Sequence, residues 1–155
     1  MTSLASRPKK ILAVASSGGH WLQLLRLRPA FAGHHVVYVT TQADDSLLVP
    51  ARDIRVVPDA SRRSKGRMLL LLVRMLAIVL RERPDVVIST GAAPGYFAIR
   101  FGRYIGARTL WLDSIANVEK CSLAGMLARP YADLMLTQWP HLAQPQGPSY
   151  RGRVL

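Results

Sequence analysis

The stretch Ile11-Leu12-Ala13-Val14-Ala15-Ser16-Ser17-Gly18-Gly19-His20 decides the fold. Five apolar residues, enough for a strand, end in small polar residues and two glycines, and helix-forming sequence follows. The run is continuous and does not alternate with polar residues, as expected of a strand covered on both faces. With this first strand at 10–15, similar runs predict strands at residues 35–41, 54–58, 85–90, 109–113 and 133–138. Helix-length segments lie between them at 21–31, 67–83, 96–105 and 122–128. Strand, crossover and strand in regular succession make an α/β, Rossmann-like doubly wound, mostly parallel sheet. Outside it, residues 1–8 read as a basic arm, residues 9–140 as one domain, and residues 141–155, rich in Pro and Gly, as an extended tail.

The composition agrees with one folded unit. At 155 residues the chain is long enough to bury roughly 70% of its unfolded surface without staples. Half of its residues are hydrophobic, which argues against disorder. The formal net charge of +12 implies an anionic partner: a phosphorylated ligand, an acidic membrane surface or nucleic acid. Cys121 is the one cysteine, so an internal disulfide and a cysteine-rich zinc site are both excluded, in keeping with a reducing compartment. The longest apolar candidate for a membrane span, residues 68–80, is short of the roughly 20 residues required and contains Arg74. The apolar run after Arg7, Lys9 and Lys10 is likewise too short for an export signal and reads as a strand.

Ligands of such sheets bind beyond the carboxyl ends of the strands. Ser17, Gly18 and Gly19 follow the first strand and open a helix, where free amides and the helix dipole suit a phosphate. His20 sits in the first turn, placed to bind a phosphate or act as a general base. The loop lacks the third glycine of a dinucleotide fingerprint, and no Gly-Lys-Ser/Thr follows, so neither a dehydrogenase nor a P-loop is supported. Ser89-Thr90-Gly91 repeats the pattern after the fourth strand. Asp113 ends the fifth, where it either accepts a ligand hydroxyl or caps the next helix, the capping role being favoured by spacing. Each glycine loop has an alternative reading as close helix-to-sheet packing.

Residues 62–83 hold seven basic side chains against Glu82 alone. Arg67, Arg74 and Arg81, seven apart, form one stripe on a helix whose remaining surface is largely apolar. Such a helix can lie in a lipid interface with its arginines reaching phosphates. The alternatives are a buried crossover helix with a solvated stripe, or a nucleic-acid surface. No zinc-finger spacing, RNP-like motif or helix-turn-helix supports the last.

The opening strand and glycine loop, Ser89-Thr90-Gly91, and above all the run through Asp113-Ser114, Leu123-Ala124-Gly125, Tyr131-Ala132-Asp133 and Gln138-Trp139-Pro140 resemble the Alg-fourteen type of oligosaccharide-biosynthesis protein. The resemblance spans about residues 9–155 and implies the N-terminal half of a split GT-B glycosyltransferase. It further implies transfer from a UDP-sugar to a polyprenyl-diphosphate-linked sugar acceptor on the cytoplasmic face of the membrane. A second chain similar to the C-terminal half would hold most of the donor site. No metal or other cofactor is implied. Carried over by position, Ser17, Gly18, Gly19, Gly91 and Asp113 would meet the acceptor, with His20 the candidate base. Tyr150 and Gly152 would dock on the partner, and Arg67, Arg74 and Arg81 on the membrane. The alternative within the resemblance is a non-catalytic membrane adaptor of such an enzyme.

Overall fold

The computed structural model describes residues 7–154, so nearly all of the basic arm lies outside the described residues. All six predicted strands are present, five of them slightly shortened and the fifth in chain order shifted by one residue: β1 Lys10–Val14, β2 His35–Thr40, β3 Ile54–Val56, β4 Val86–Ser89, β5 Arg108–Leu112 and β6 Leu134–Thr137. A seventh, β7 Ser149–Tyr150, lies within the segment read as an extended tail. It pairs with β6, setting Leu136 opposite Ser149 and Thr137 opposite Tyr150. All neighbours run parallel in the order β3-β2-β1-β4-β5-β6-β7.

Successive residues of β1 face opposite sides of the sheet, and both sides are apolar. Leu12 and Val14 join Val37, Val87 and Trp111 beneath helices α2 Lys65–Glu82, α3 Ala92–Tyr104 and α4 Leu123–Ala128. Ile11, Ala13 and Ala15 join Tyr38 and Ile88 on the other face, under Trp21 and Leu24 of α1 Gly19–Arg26. The helix predicted to run to residue 31 stops at Arg26, and Pro29 continues it as a 3-10 turn, Arg28–Phe31. Helix α3 starts four residues before its predicted start. Pro94 lies in its first turn, where no N–H donor is required, and a Cβ on Gly95 would stand 1.9 Å from Ser89 Oγ.

The strand order reverses between β1 and β4, whose registered pairs run from Ile11–Val86 to Val14–Ser89. The loops leaving these two strands therefore splay to opposite faces and leave a crevice between them.

Candidate functional site

The crevice is built from the loop between β1 and α1 and the loop between β4 and α3. Thr90 Oγ1 donates to the carbonyl of His20 at 2.7 Å, tying the two together. The His20 imidazole is half-buried, its Nδ1 2.8 Å from Ser16 Oγ. The ring lies flat enough on Gly91 that a Cβ there would stand 2.5 Å from Cδ2 and 2.6 Å from Nε2. Gly91 has φ +144°, and Ala92 after it takes the left-handed conformation. Only glycine meets both the backbone and the contact at position 91. Burial lowers the His20 pKa, opposed by the negative charge of Asp113. With its pKa lowered the imidazole is neutral near pH 7, and the tautomer it takes sets whether Nδ1 donates to Ser16 Oγ or accepts from it.

The glycines and the serine of the first loop differ. A Cβ on Gly18 or Gly19 would meet no atom within 4 Å, so the start of α1, which has no side-chain cap, faces open space. Ser17 instead binds back to the protein: its amide donates to Thr41 Oγ1 at 2.9 Å, and its hydroxyl points at Asp45 Oδ1, 3.4 Å away. With a carboxylate beside it, Ser17 anchors the loop, and the part left open is Gly18, Gly19 and the helix start.

Asp113 also departs from the acceptor-contacting role. It is 2% exposed, and its two carboxylate oxygens accept four hydrogen bonds. Oδ1 accepts from Trp111 Nε1 at 3.0 Å and Ser122 Oγ at 2.6 Å, while Oδ2 accepts from the Ser122 amide at 2.9 Å and Asn117 Nδ2 at 3.0 Å. Ser122 Oγ in turn accepts from the Gly125 amide and caps α4. Asp113 therefore shapes the 114–122 loop and holds Ser122, which is itself the cap of α4; Asp113 does not cap the helix directly.

Two glutamines that sequence reading passed over complete the rim. Buried Gln23, one turn after His20 on α1, donates to the Gly19 carbonyl and to Ser114 Oγ, each at 3.2 Å, and accepts from the Ile115 amide at 3.1 Å. Gln138, fully buried after β6, donates to Gln23 Oε1 and, at 3.0 Å, to the Asp113 carbonyl. The last described residues close on Gln138 and its neighbour: the Val154 amide donates to Gln138 Oε1 at 2.8 Å, and Arg153 lies 4.4 Å from the centre of the Trp139 ring. The tail is thus docked on its own sheet, with Tyr150 partly exposed on edge strand β7 and Gly152 at φ +110°.

The three arginines are exposed along α2, as their spacing predicts. Leu71, Met75 and Val79 turn inward, and Leu69, Val73 and Leu80 face solvent at 63, 53 and 51% exposure. No helix among the described residues is long and apolar enough to cross a membrane. A cavity of about 620 Å³, lined by Lys9, Arg83, Asp85 and Arg108, lies at the amino ends of the strands, away from the crevice.

Sheet order and a switch-point crevice define a Rossmann-like, doubly wound α/β domain. Among solved structures, Acinetobacter baumannii MurG shares this fold with a TM-score of 0.73 at 14% identity, over 92% of this chain and 45% of that one. The MnaA–UDP structure from S. aureus has a TM-score of 0.61 at 17% identity, over 84% of this chain and 38% of that one. The chain thus spans less than half of each of these structural neighbours. By sequence it belongs to the family described as "Oligosaccharide biosynthesis protein Alg14 like", matched over residues 42–154. Relatives named UDP-N-acetylglucosamine transferase subunit ALG14 occur in Yarrowia lipolytica and Mus musculus. Each is 25% identical, covering 89% and 94% of this chain and 79% and 83% of the relatives.

Proposed function

We propose that this chain is the acceptor-binding subunit of a two-chain glycosyltransferase that moves a sugar from a UDP-sugar to a polyprenyl-diphosphate-linked acceptor. The observation that carries this reading is the crevice between β1 and β4, with the half-buried His20 ring over Gly91 and the open start of α1 beside it. The acceptor diphosphate lies against Gly18, Gly19 and Gly91, and His20 takes the proton from the attacking sugar hydroxyl. The remainder of a GT-B cleft, including most of the donor site, comes from a partner chain that meets this one along the crevice and the β7 edge with Tyr150 and Gly152. The relatives' designation as subunits supports that division.

Affinity purification from native membranes at moderate salt, followed by mass spectrometry, tests it. A glycosyltransferase half of similar size should accompany the chain, and the pair should transfer sugar to a polyprenyl-diphosphate acceptor. Recovery of nucleic acid alone, lost in salt, would overturn the reading.

The chain sits peripherally on the cytoplasmic face of the membrane, with the exposed apolar arc of α2 in the interface. Arg67, Arg74 and Arg81 lie on its flank against lipid phosphates. Each basic residue near an anionic surface contributes about 1 kcal/mol. Replacing all three with Gln should therefore weaken binding to anionic vesicles by roughly a hundredfold. Unchanged binding at physiological salt would remove α2 from the interface.

A further inference from the structure

A cavity of about 270 Å³ opens between the first turns of α2, α3 and α4, at the carboxyl edge of the sheet. Met68, Ala93, Tyr96, Phe97, Leu123 and Leu127 line it, and Arg62 is the only charged side chain on its wall. Ala93 follows Gly91 by two residues, so the trough begins beside the crevice that holds His20. At its other side Leu123 and Leu127 are half-exposed and continue the apolar surface outward. No acidic residue interrupts the sequence from Arg62 to Arg81.

We infer that this trough holds the hydrocarbon chain of the acceptor next to its diphosphate; the inference rests on the acceptor-binding role proposed above. Size and charge select this occupant. The volume holds on the order of ten carbon atoms at interior packing density, about two isoprene units. A partner helix, roughly 10 Å across, does not fit such a space. An apolar wall with one arginine, beside an anion-suited loop, matches a molecule whose apolar chain ends in phosphate. With the chain seated here, the diphosphate falls between Arg62 and the Gly91 loop, and the attached sugar turns toward His20. The rest of a long chain leaves past Leu123 and Leu127 to the membrane.

Titration calorimetry with inorganic diphosphate, geranyl diphosphate and farnesyl diphosphate tests the inference on the chain, together with any partner that purifies with it. The prenyl compounds should bind at least about thirtyfold tighter than inorganic diphosphate, with most of the gain reached at the ten-carbon geranyl chain. Leu123→Gln with Leu127→Gln, at half-exposed positions, should lower farnesyl diphosphate affinity about tenfold and leave inorganic diphosphate binding unchanged, which also reports an intact fold. Equal affinity for all three ligands would overturn the trough while leaving the diphosphate site. A chain-dependent gain that survives the double variant would place the chain elsewhere, and loss of the partner in that variant would make the trough a protein seat. Failure of every diphosphate to bind would remove the acceptor reading itself, and the trough with it.

Discussion

His20→Ala should lower sugar transfer by the partnered enzyme at least about a hundredfold, the ordinary contribution of a positioned general base. The wild-type pH profile sharpens the test. Burial depresses the His20 pKa, so the neutral, proton-accepting form persists below the usual histidine range. Activity should therefore hold as pH falls through that range and drop only beneath it, and His20→Ala should abolish that acidic limb. The same shift affects stability: the unfolded imidazole takes up a proton first as pH falls, so the stability contributed by neutral His20 is complete above the ordinary value and declines below it. Gly91→Ala provides a second variant, because its Cβ displaces the ring while leaving the imidazole in the protein. It should lower turnover without removing the titrating group. Undiminished turnover in both variants would leave the chain as a non-catalytic adaptor.

Asp113→Ala should destabilise the fold by about 3–5 kcal/mol, read from the urea unfolding midpoint. Four donors lose their acceptor together in a site with little access to water, and the cap of α4 loses its support. Asp113→Asn should be nearly as damaging, since its NH2 group would face donors already aimed at a carboxylate. In whatever fraction stays folded, loss of the negative charge should move the His20 limb to still lower pH. A stable, inactive Asp113→Ala would instead place the carboxylate on the acceptor.

Much of this architecture was legible because the two central β-runs end in small residues and glycines that break a strand. Ser-Ser-Gly-Gly after β1 and Ser-Thr-Gly after β4 marked the crevice before any pairing was known. Helix α3 was read short because Pro94 and Gly95 look like a loop locally, although one needs no donor in the first turn and the other lets the helix press on Ser89. β7 went unseen because two residues in a proline-rich segment carry no periodicity. Asp45 beside Ser17, and Gln23 against Gln138, 115 residues away, depend on tertiary placement. Sequence spacing favoured a capping role that falls to Ser122, and could not locate the four donors of Asp113.

The pairing of β1 with β4 has a consequence for how the molecule comes into being. Thr90 and His20, which join the two walls of the crevice, are seventy residues apart, and the central strand lacks its second neighbour until the whole intervening crossover has folded. Closing so long a loop is slow and leaves an apolar strand edge open to aggregation meanwhile. The crevice thus requires the closed sheet: a chain in which β4 has not yet paired with β1 has its glycine loop but nothing opposite it.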